Sequence, residues 1–175
     1  KNILNKTKGP KSFVYTCNVG EIESNHWIQD PEIGGGRLIG EACHFIDLLI
    51  FLSESKVKNI SLYECPTKNK ISDNFSIQIK FENESIGTVH YFSSGSNLFP
   101  KERLEVFGNG SVIKIDNFLN IKTWGLSKKD NRKLMRQNKG LSETVDKFLD
   151  AINNGKESPI PINEIFDLHE LLFKL

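Results

Sequence analysis

The sequence predicts an α+β fold, a large, mostly antiparallel sheet with helices on one face. Three observations predict it. Secondary-structure signals run in the order strand, helix, a block of strands, two helices, which separates helices from strands along the chain. Within the block, Phe75, Ile77, Ile79 and Phe81 alternate with Ser76, Gln78 and Lys80, the two-residue period of a strand with one buried and one wet face. The turn sequences ENES and GNG, the latter at Gly108 to Gly110, separate neighbouring runs as hairpin connections do.

Each element can be justified in chain order. Residues 1–10, KNILNKTKGP, are polar, end in Gly-Pro and read as a linker or the tail of an upstream helix, leaving the domain at 11–175. SFVYTCNVG reads as a first strand, and residues 36–52 carry a helical pattern. VKNISLYEC, NFSIQIKF, SIGTVHYFSS, ERLEVFG, SVIKID and FLNIKTWG follow as short β runs, and their consecutive hairpins predict antiparallel pairing. Ser142 is an N-cap candidate leading into ETVDKFLDAINN, and Gly155 sits where a helix C-cap glycine would. SPIPINEIFDLHELLFKL then gives a Pro-bounded extended piece and a final helix, with Asn163 as the expected N-cap.

Bulk properties narrow the function classes. A chain of 175 residues fits one domain with a sizeable core, and 38% hydrophobic with 26% charged residues is ordinary for a globular protein. Its net charge of +1 points to neither nucleic acid nor a membrane surface. Seven basic residues gather between Lys122 and Lys139, but Trp124 is the one aromatic among them, so they read as a solvated loop. Cys17, Cys43 and Cys65 are odd in number and lack CxxC spacing, which argues against a disulfide framework and a zinc site and for a reducing cytoplasm. No apolar run reaches about 18 residues and no basic-then-apolar leader opens the chain, so neither a membrane span nor a signal peptide is expected. The chain begins at Lys1 rather than Met and reads as a piece of a longer protein.

One helix stands out. In IGGGRLIGEACHFIDLL, Gly40, His44 and Asp47 fall at i, i+4 and i+7 and form a narrow polar stripe, with Glu41 beside His44. Leu38, Ala42, Phe45, Leu49 and Leu52 cover one flank, and Ile39, Cys43, Ile46 and Ile50 the adjoining one, so most of the circumference should be buried. A glycine and three different titratable groups on the remaining strip suit a cleft wall better than a solvent face. A hydrogen-bonded core histidine is the plainer explanation of His44. The chemical one is that either Glu41 or Asp47 orients the ring and raises its proton affinity for acid/base work.

The runs HWIQDPEIGGGRLIGEACHFIDLL, FPKERLEVFGNG and NKGLSETVDKFLDAINNGKESPIPINEI resemble the C-terminal domain of the Gfo/Idh/MocA oxidoreductases. They are most similar to the branch fused to zinc-type alcohol dehydrogenase domains or found near bacterial surface-polysaccharide genes. The resemblance spans residues 13–175. It implies a dihydrodipicolinate-reductase-like C-terminal domain that binds substrate and mediates oligomerisation. The full-length protein would be an NAD- or NADP-dependent dehydrogenase of a sugar, nucleotide sugar or cyclitol, its cofactor held by a separate N-terminal Rossmann domain. Neither GxGxxG nor the family's Glu-Lys-Pro motif occurs in this chain, so the fragment alone is expected to be inactive. His44 matches the family histidine that exchanges a proton with the substrate hydroxyl. Gly40 stands where the family's common form has an Asp, which leaves Glu41 and Asp47 as the candidate partners. Asn18, His26, Trp27 and Asp30 lie in the loop that borders the family's sugar pocket. Trp27 could stack on a sugar ring or anchor the core. Lys101 could meet a substrate carboxylate or phosphate, or pair with a neighbouring acid.

Two other readings compete. A metal-dependent hydrolase or isomerase would use His26, His44 and Glu41 or Asp47 as ligands, but no HxxxH or second close pair completes a set, so no metal is expected. A non-catalytic binding module is the other. Apolar residues on both faces of GTVHYF suggest that one sheet face meets a second copy, making a homo-oligomer.

Overall fold

The computed structural model describes residues 1–67 and 71–175. Eight strands form one sheet: β1 (Ser12–Asn18), β2 (Val57–Glu64), β3 (Phe75–Phe81), β4 (Ile86–Phe92), β5 (Glu102–Gly108), β6 (Ser111–Asp116), β7 (Asn120–Trp124) and β8 (Arg132–Lys133). Their order across the sheet is β2-β3-β4-β1-β5-β6-β7-β8. Three α-helices accompany it: α1 (Cys43–Ser53), α2 (Leu141–Asn153) and α3 (Ile162–Leu172).

Hairpin reasoning anticipated the strands β2 through β7, but β4 and β5 do not pair with each other as expected, because β1 lies between them. This strand inserts between β4 and β5, pairing parallel with β4 and antiparallel with β5. Local turn signals cannot reveal such a pairing, because β1 and β4 lie some seventy residues apart and the chain between them folds as α1, β2 and β3. The two-residue β8 carries no periodic signal at all. At the GNG turn, Asn109 and Gly110 both have positive φ, as a tight hairpin between β5 and β6 requires.

Alternation places one face of every central strand inside. Phe13, Tyr15 and Cys17 of β1, Phe75, Ile77, Ile79 and Phe81 of β3, and Val89 and Tyr91 of β4 form the core with Ala42, Cys43, Ile46 and Leu49. From α3, Leu168 and Leu172 close it. Each fully buried Leu or Ile here contributes about 1.5–3 kcal/mol of apolar transfer. Ring stacking adds order: Tyr15 lies 4.5 Å from Phe45 and Phe75 4.9 Å from Tyr91, centroid to centroid. Gly87 lets α1 approach β4, since a Cβ there would stand 3.1 Å from Leu49 Cδ1.

Local details correct three expectations. Residues 1–10, expected as a linker, are packed on the domain: Leu4 is buried in the core and Lys6 pairs with Asp130. The N-cap of α2 is Gly140, in the left-handed conformation at φ 78°, and Ser142 lies inside the first turn. Asn163 likewise lies inside α3, whose N-cap is Pro161. Gly155 does follow α2 with positive φ, as its C-cap role demands. Cys17 and Cys43 are buried and Cys65 exposed, all three free thiols. Among the described residues, no helix is long and apolar enough to cross a membrane.

Candidate functional site

The parallel strands β1 and β4 end side by side, with Asn18 opposite Phe92, and the loops that follow them meet there. Asn18 fixes the second loop: its Nδ2 donates to Ser96 O at 2.8 Å and Phe99 O at 3.4 Å, and its N–H donates to Lys101 O at 2.7 Å. The first loop runs through His26 and Trp27 into the glycine triplet. Gly34 is required by close approach, because a Cβ would stand 2.4 Å from Ile28 Cα. Gly36, at φ 81°, takes a backbone conformation costly for any side chain, and starts the helix. The Gly34 and Gly35 N–H groups both donate to Asp30 O, so the triplet shapes a turn and leaves those amides with nothing to offer a phosphate.

The helix beyond it is not regular. Leu38–Ala42 form a π-helical turn, with the Cys43 N–H reaching back to Leu38 O, before the α-helical part begins. Such widened turns carry an extra residue and recur at functional sites. Gly40, His44, Asp47 and Phe51 are exposed, while Ala42, Cys43, Ile46 and Leu49 are buried. The anticipated stripe therefore exists, on a helix whose other sides are packed.

The Glu41 carboxylate is engaged by other groups. It accepts from Arg37 Nε at 2.9 Å, Arg37 Nη2 at 3.3 Å and the Tyr91 hydroxyl at 2.7 Å. Arg37, only 4% exposed, also donates to Gly20 O and lies over the Tyr91 ring. Burial alone would raise the Glu41 carboxyl, but the hydrogen bonds from Arg37 and Tyr91 and the charges of Arg37 and Lys101 outweigh it and hold the group below its usual value. Sequence reasoning missed this buried cluster because it counted 100° per residue through a turn that is wider than that. Arg37 followed by Glu41 at i+4 was the available signal.

Asp47 has no such partners among the described residues. Partial burial raises its carboxyl above the usual range, and the charge of His44 pulls the other way. The nearest polar contact of the His44 ring is Cys43 Sγ, 3.6 Å from Nδ1. Of the two candidate partners, Asp47 is thus the one whose charge couples to His44 alone.

The other candidates divide into free and occupied groups. His26 and Trp27 are exposed, their rings 5.7 Å apart, and His26 Nδ1 accepts from Ile28 N–H at 3.3 Å. Trp27 is therefore not a core anchor. Asp30 closes its own turn, accepting from the Glu32 and Ile33 N–H groups. Lys101 is exposed, makes no ion pair among the described residues, and shares with Asn18 a concavity of about 450 Å³ that Leu98 and Phe99 also line. A slightly larger one, about 510 Å³, lies away from these residues at the β7–β8 edge. Among the described residues, no group of three His, Cys, Asp or Glu is placed to hold a metal ion.

Comparison with known proteins follows this geometry closely in fold. The family model of the GFO/IDH/MocA C-terminal domain matches residues 11–114. An aldose–aldose oxidoreductase from Caulobacter crescentus superposes with a TM-score of 0.78 at 16% identity, over 99% of this chain and 56% of that one. A UDP-N-acetylglucosamine 3-dehydrogenase from Acidithiobacillus ferrooxidans gives 0.74 at 11% identity, over 95% and 54%. The WlbA dehydrogenase of Bordetella pertussis, in complex with NADH and UDP-GlcNAcA, gives 0.65 at 12% identity, over 92% and 50%. The chain spans about half the length of these solved structures. No curated protein matches it.

Proposed function

The chain belongs to the GFO/IDH/MocA family as its C-terminal domain, and from that premise we propose that it is the substrate-binding and oligomerisation half of an NAD(P)-dependent sugar dehydrogenase in which His44 exchanges a proton with the substrate hydroxyl. The observation that carries this is the exposed His44, with Asp47 one turn on, along a helix otherwise locked into the core. A rigid backbone and a free imidazole are what a general acid/base needs. UDP-sugar ligands and substrates named for two of the solved structures favour a nucleotide sugar over a cyclitol.

The glycine triplet offers the dinucleotide phosphates no cradle, since its Gly34 and Gly35 N–H groups are turned inward on Asp30 O. A nicotinamide held by another part of the protein would accept or supply the hydride. The residues of this chain do the rest. His44 takes or returns the hydroxyl proton, and Asp47 stabilises the imidazolium that results. Trp27 offers a face for a sugar ring and Lys101 a cation for a phosphate or carboxylate, while Asn18 and the Arg37–Glu41–Tyr91 cluster hold the two loops in place. The open face of the sheet is the contact between copies.

His44→Ala in the full-length enzyme tests the assignment. Turnover is expected to fall roughly 10²- to 10⁴-fold with nicotinamide binding retained. Unchanged turnover overturns it. The 175-residue chain alone is expected to bind no dinucleotide by calorimetry.

A further inference from the structure

The last strand pair of the sheet leaves a hollow that the His44 site does not use. β8 pairs with β7 only at Asn120 and Ile121. Beyond them the β7 edge is finished by a side chain: Asn131 Oδ1 accepts from the Thr123 N–H at 2.7 Å and from the Thr123 hydroxyl at 3.1 Å. Beside the edge closed in this way lies the concavity of about 510 Å³, a volume ordinary for a small-molecule site. Trp124, Lys122, Arg132 and Lys133 line it, and Trp124 is 51% exposed. Strand alternation puts Lys122 and Trp124 on one face. Lys133, opposite Asn120, joins them there, while Arg132, opposite Ile121, belongs to the other face.

Positive charge in this hollow is uncompensated. Between Lys122 and Lys139 stand seven basic residues and one acid, Asp130, which is buried and paired with Lys6. Lys139 is paired with Glu102. Among the described residues, Lys122, Arg132 and Lys133 make no ion pair. Lys122 also stands directly opposite Lys114 in the β6–β7 ladder, an arrangement of like charges that costs stability, and Lys114 is drawn instead to Asp116 at 3.1 Å. A bound anion relieves that repulsion.

We propose that this concavity is a binding site for a nucleoside phosphate, separate from the concavity of Asn18 and Lys101, with the base stacked on Trp124 and the phosphate held by Lys122, Arg132 and Lys133. An indole face takes any planar base, and a guanidinium beside two ammonium groups suits phosphate oxygens. Aromatic surface and cations line one hollow, so ring and anion belong to one ligand. A single aromatic favours one base over a strand, since a nucleic-acid groove offers successive stacking platforms. Trp124 ends the row of residues that faces a second copy, on the last long strand of the sheet, where such a contact has its solvent-accessible rim.

Uridine monophosphate and adenosine monophosphate, titrated into isotope-labelled protein, test the proposal through the indole N–H resonance of Trp124, which is identified by its loss in Trp124→Phe. Both nucleotides are expected to shift it saturably, with half-saturation below about 1 mM. Uridine alone or inorganic phosphate alone should bind at least about tenfold more weakly, since each supplies one half of the contact. Lys122→Gln with Lys133→Gln should weaken nucleotide binding about tenfold and flatten its salt dependence, in a protein that melts no lower than wild type. A Trp124 resonance unmoved by either nucleotide overturns the proposal. So does equal affinity for inorganic phosphate, which leaves only a cationic surface, and so does a shift confined to Trp27, which puts the nucleotide at the loop before the glycine triplet. A single-stranded oligonucleotide that binds more than about a hundredfold tighter than the monophosphates replaces the nucleotide with a nucleic acid and overturns it as well. Each of these outcomes leaves the His44 assignment standing.

Discussion

The Tyr91 hydroxyl donates to Glu41 Oε2 at 2.7 Å, joining the end of β4 to the widened turn that precedes His44. Arg37 completes the joint by pairing with the same carboxylate and reaching Gly20 O in the loop after β1. Three segments distant in sequence are held through one anion.

Loss of either charged partner should be costly, because the other is left buried and uncompensated. Arg37→Met is expected to lower stability by about 3 kcal/mol in urea titration, and Tyr91→Phe by about 1 kcal/mol. Glu41 has a folded-state pKa below its unfolded value, so its contribution is fully present above the unfolded pKa and is lost as pH falls through the folded one. Glu41→Gln should therefore be clearly destabilised at pH 7 and approach the wild type in acid. Equal stability of Glu41→Gln and wild type at pH 7 would remove the cluster's structural role.

Asp47 predicts the opposite sign. Its folded-state pKa is raised, so the ionised carboxylate costs stability above that value, and the cost disappears as pH falls through it. Asp47→Asn is expected to melt higher than wild type at pH 7, with the two curves converging once the pH drops below the unfolded-state aspartate value of about 3.9. Turnover of the full-length enzyme should fall in the same variant. A stabilising change that lowers activity is the mark of a group kept for function. Lower melting at neutral pH contradicts this account.

Much of this was legible in the sequence, and the failures have physical causes. Two-residue alternation located β3 because one of its faces is buried, turn signals marked off the neighbouring β runs, and the 3.6-residue period found the exposed His44 and Asp47. All of these signals are local. The parallel β1–β4 pairing is set by a long crossover, and the widened turn brings Glu41 to Tyr91 and Gly40 to Ile28, contacts between residues far apart in the chain, so neither leaves a trace in spacing. Capping residues misled for a related reason: Ser142 and Asn163 have capping side chains, but the chain direction is set two residues earlier by Gly140 and Pro161.

Gly40 illustrates what only packing reveals. A Cβ there would stand 2.8 Å from Ile28 Cδ1, so the space an Asp side chain would occupy is filled by Ile28. Gly40→Asp alone is expected to cost about 1–3 kcal/mol through crowding. Adding Ile28→Ala should recover most of that loss, a coupling readable in a double-mutant cycle. Additive effects of the two substitutions would show that Ile28 does not exclude the carboxylate.

The open side of the sheet yields a last prediction. Ile86, Ser12, Phe107, Val112 and Trp124 stand opposite one another across β4, β1, β5, β6 and β7, so their side chains share one face and one row. Ile86, Phe107 and Trp124 are exposed there. The adjoining rows hold Thr88 and Glu105, then His90 and Arg103, the latter paired with Asp116 at 3.1 Å. An apolar row flanked by polar ones suits a self-complementary contact between copies, since a two-fold axis would lay each row on its own equivalent. Phe107→Lys places like charges face to face across such an axis and is expected to convert a dimer to a monomer in sedimentation velocity. It should leave the melting of the isolated chain within about 0.5 kcal/mol of wild type, because Phe107 contributes nothing to the core. A wild-type chain that sediments as a monomer at all concentrations would take the contact between copies away from this face.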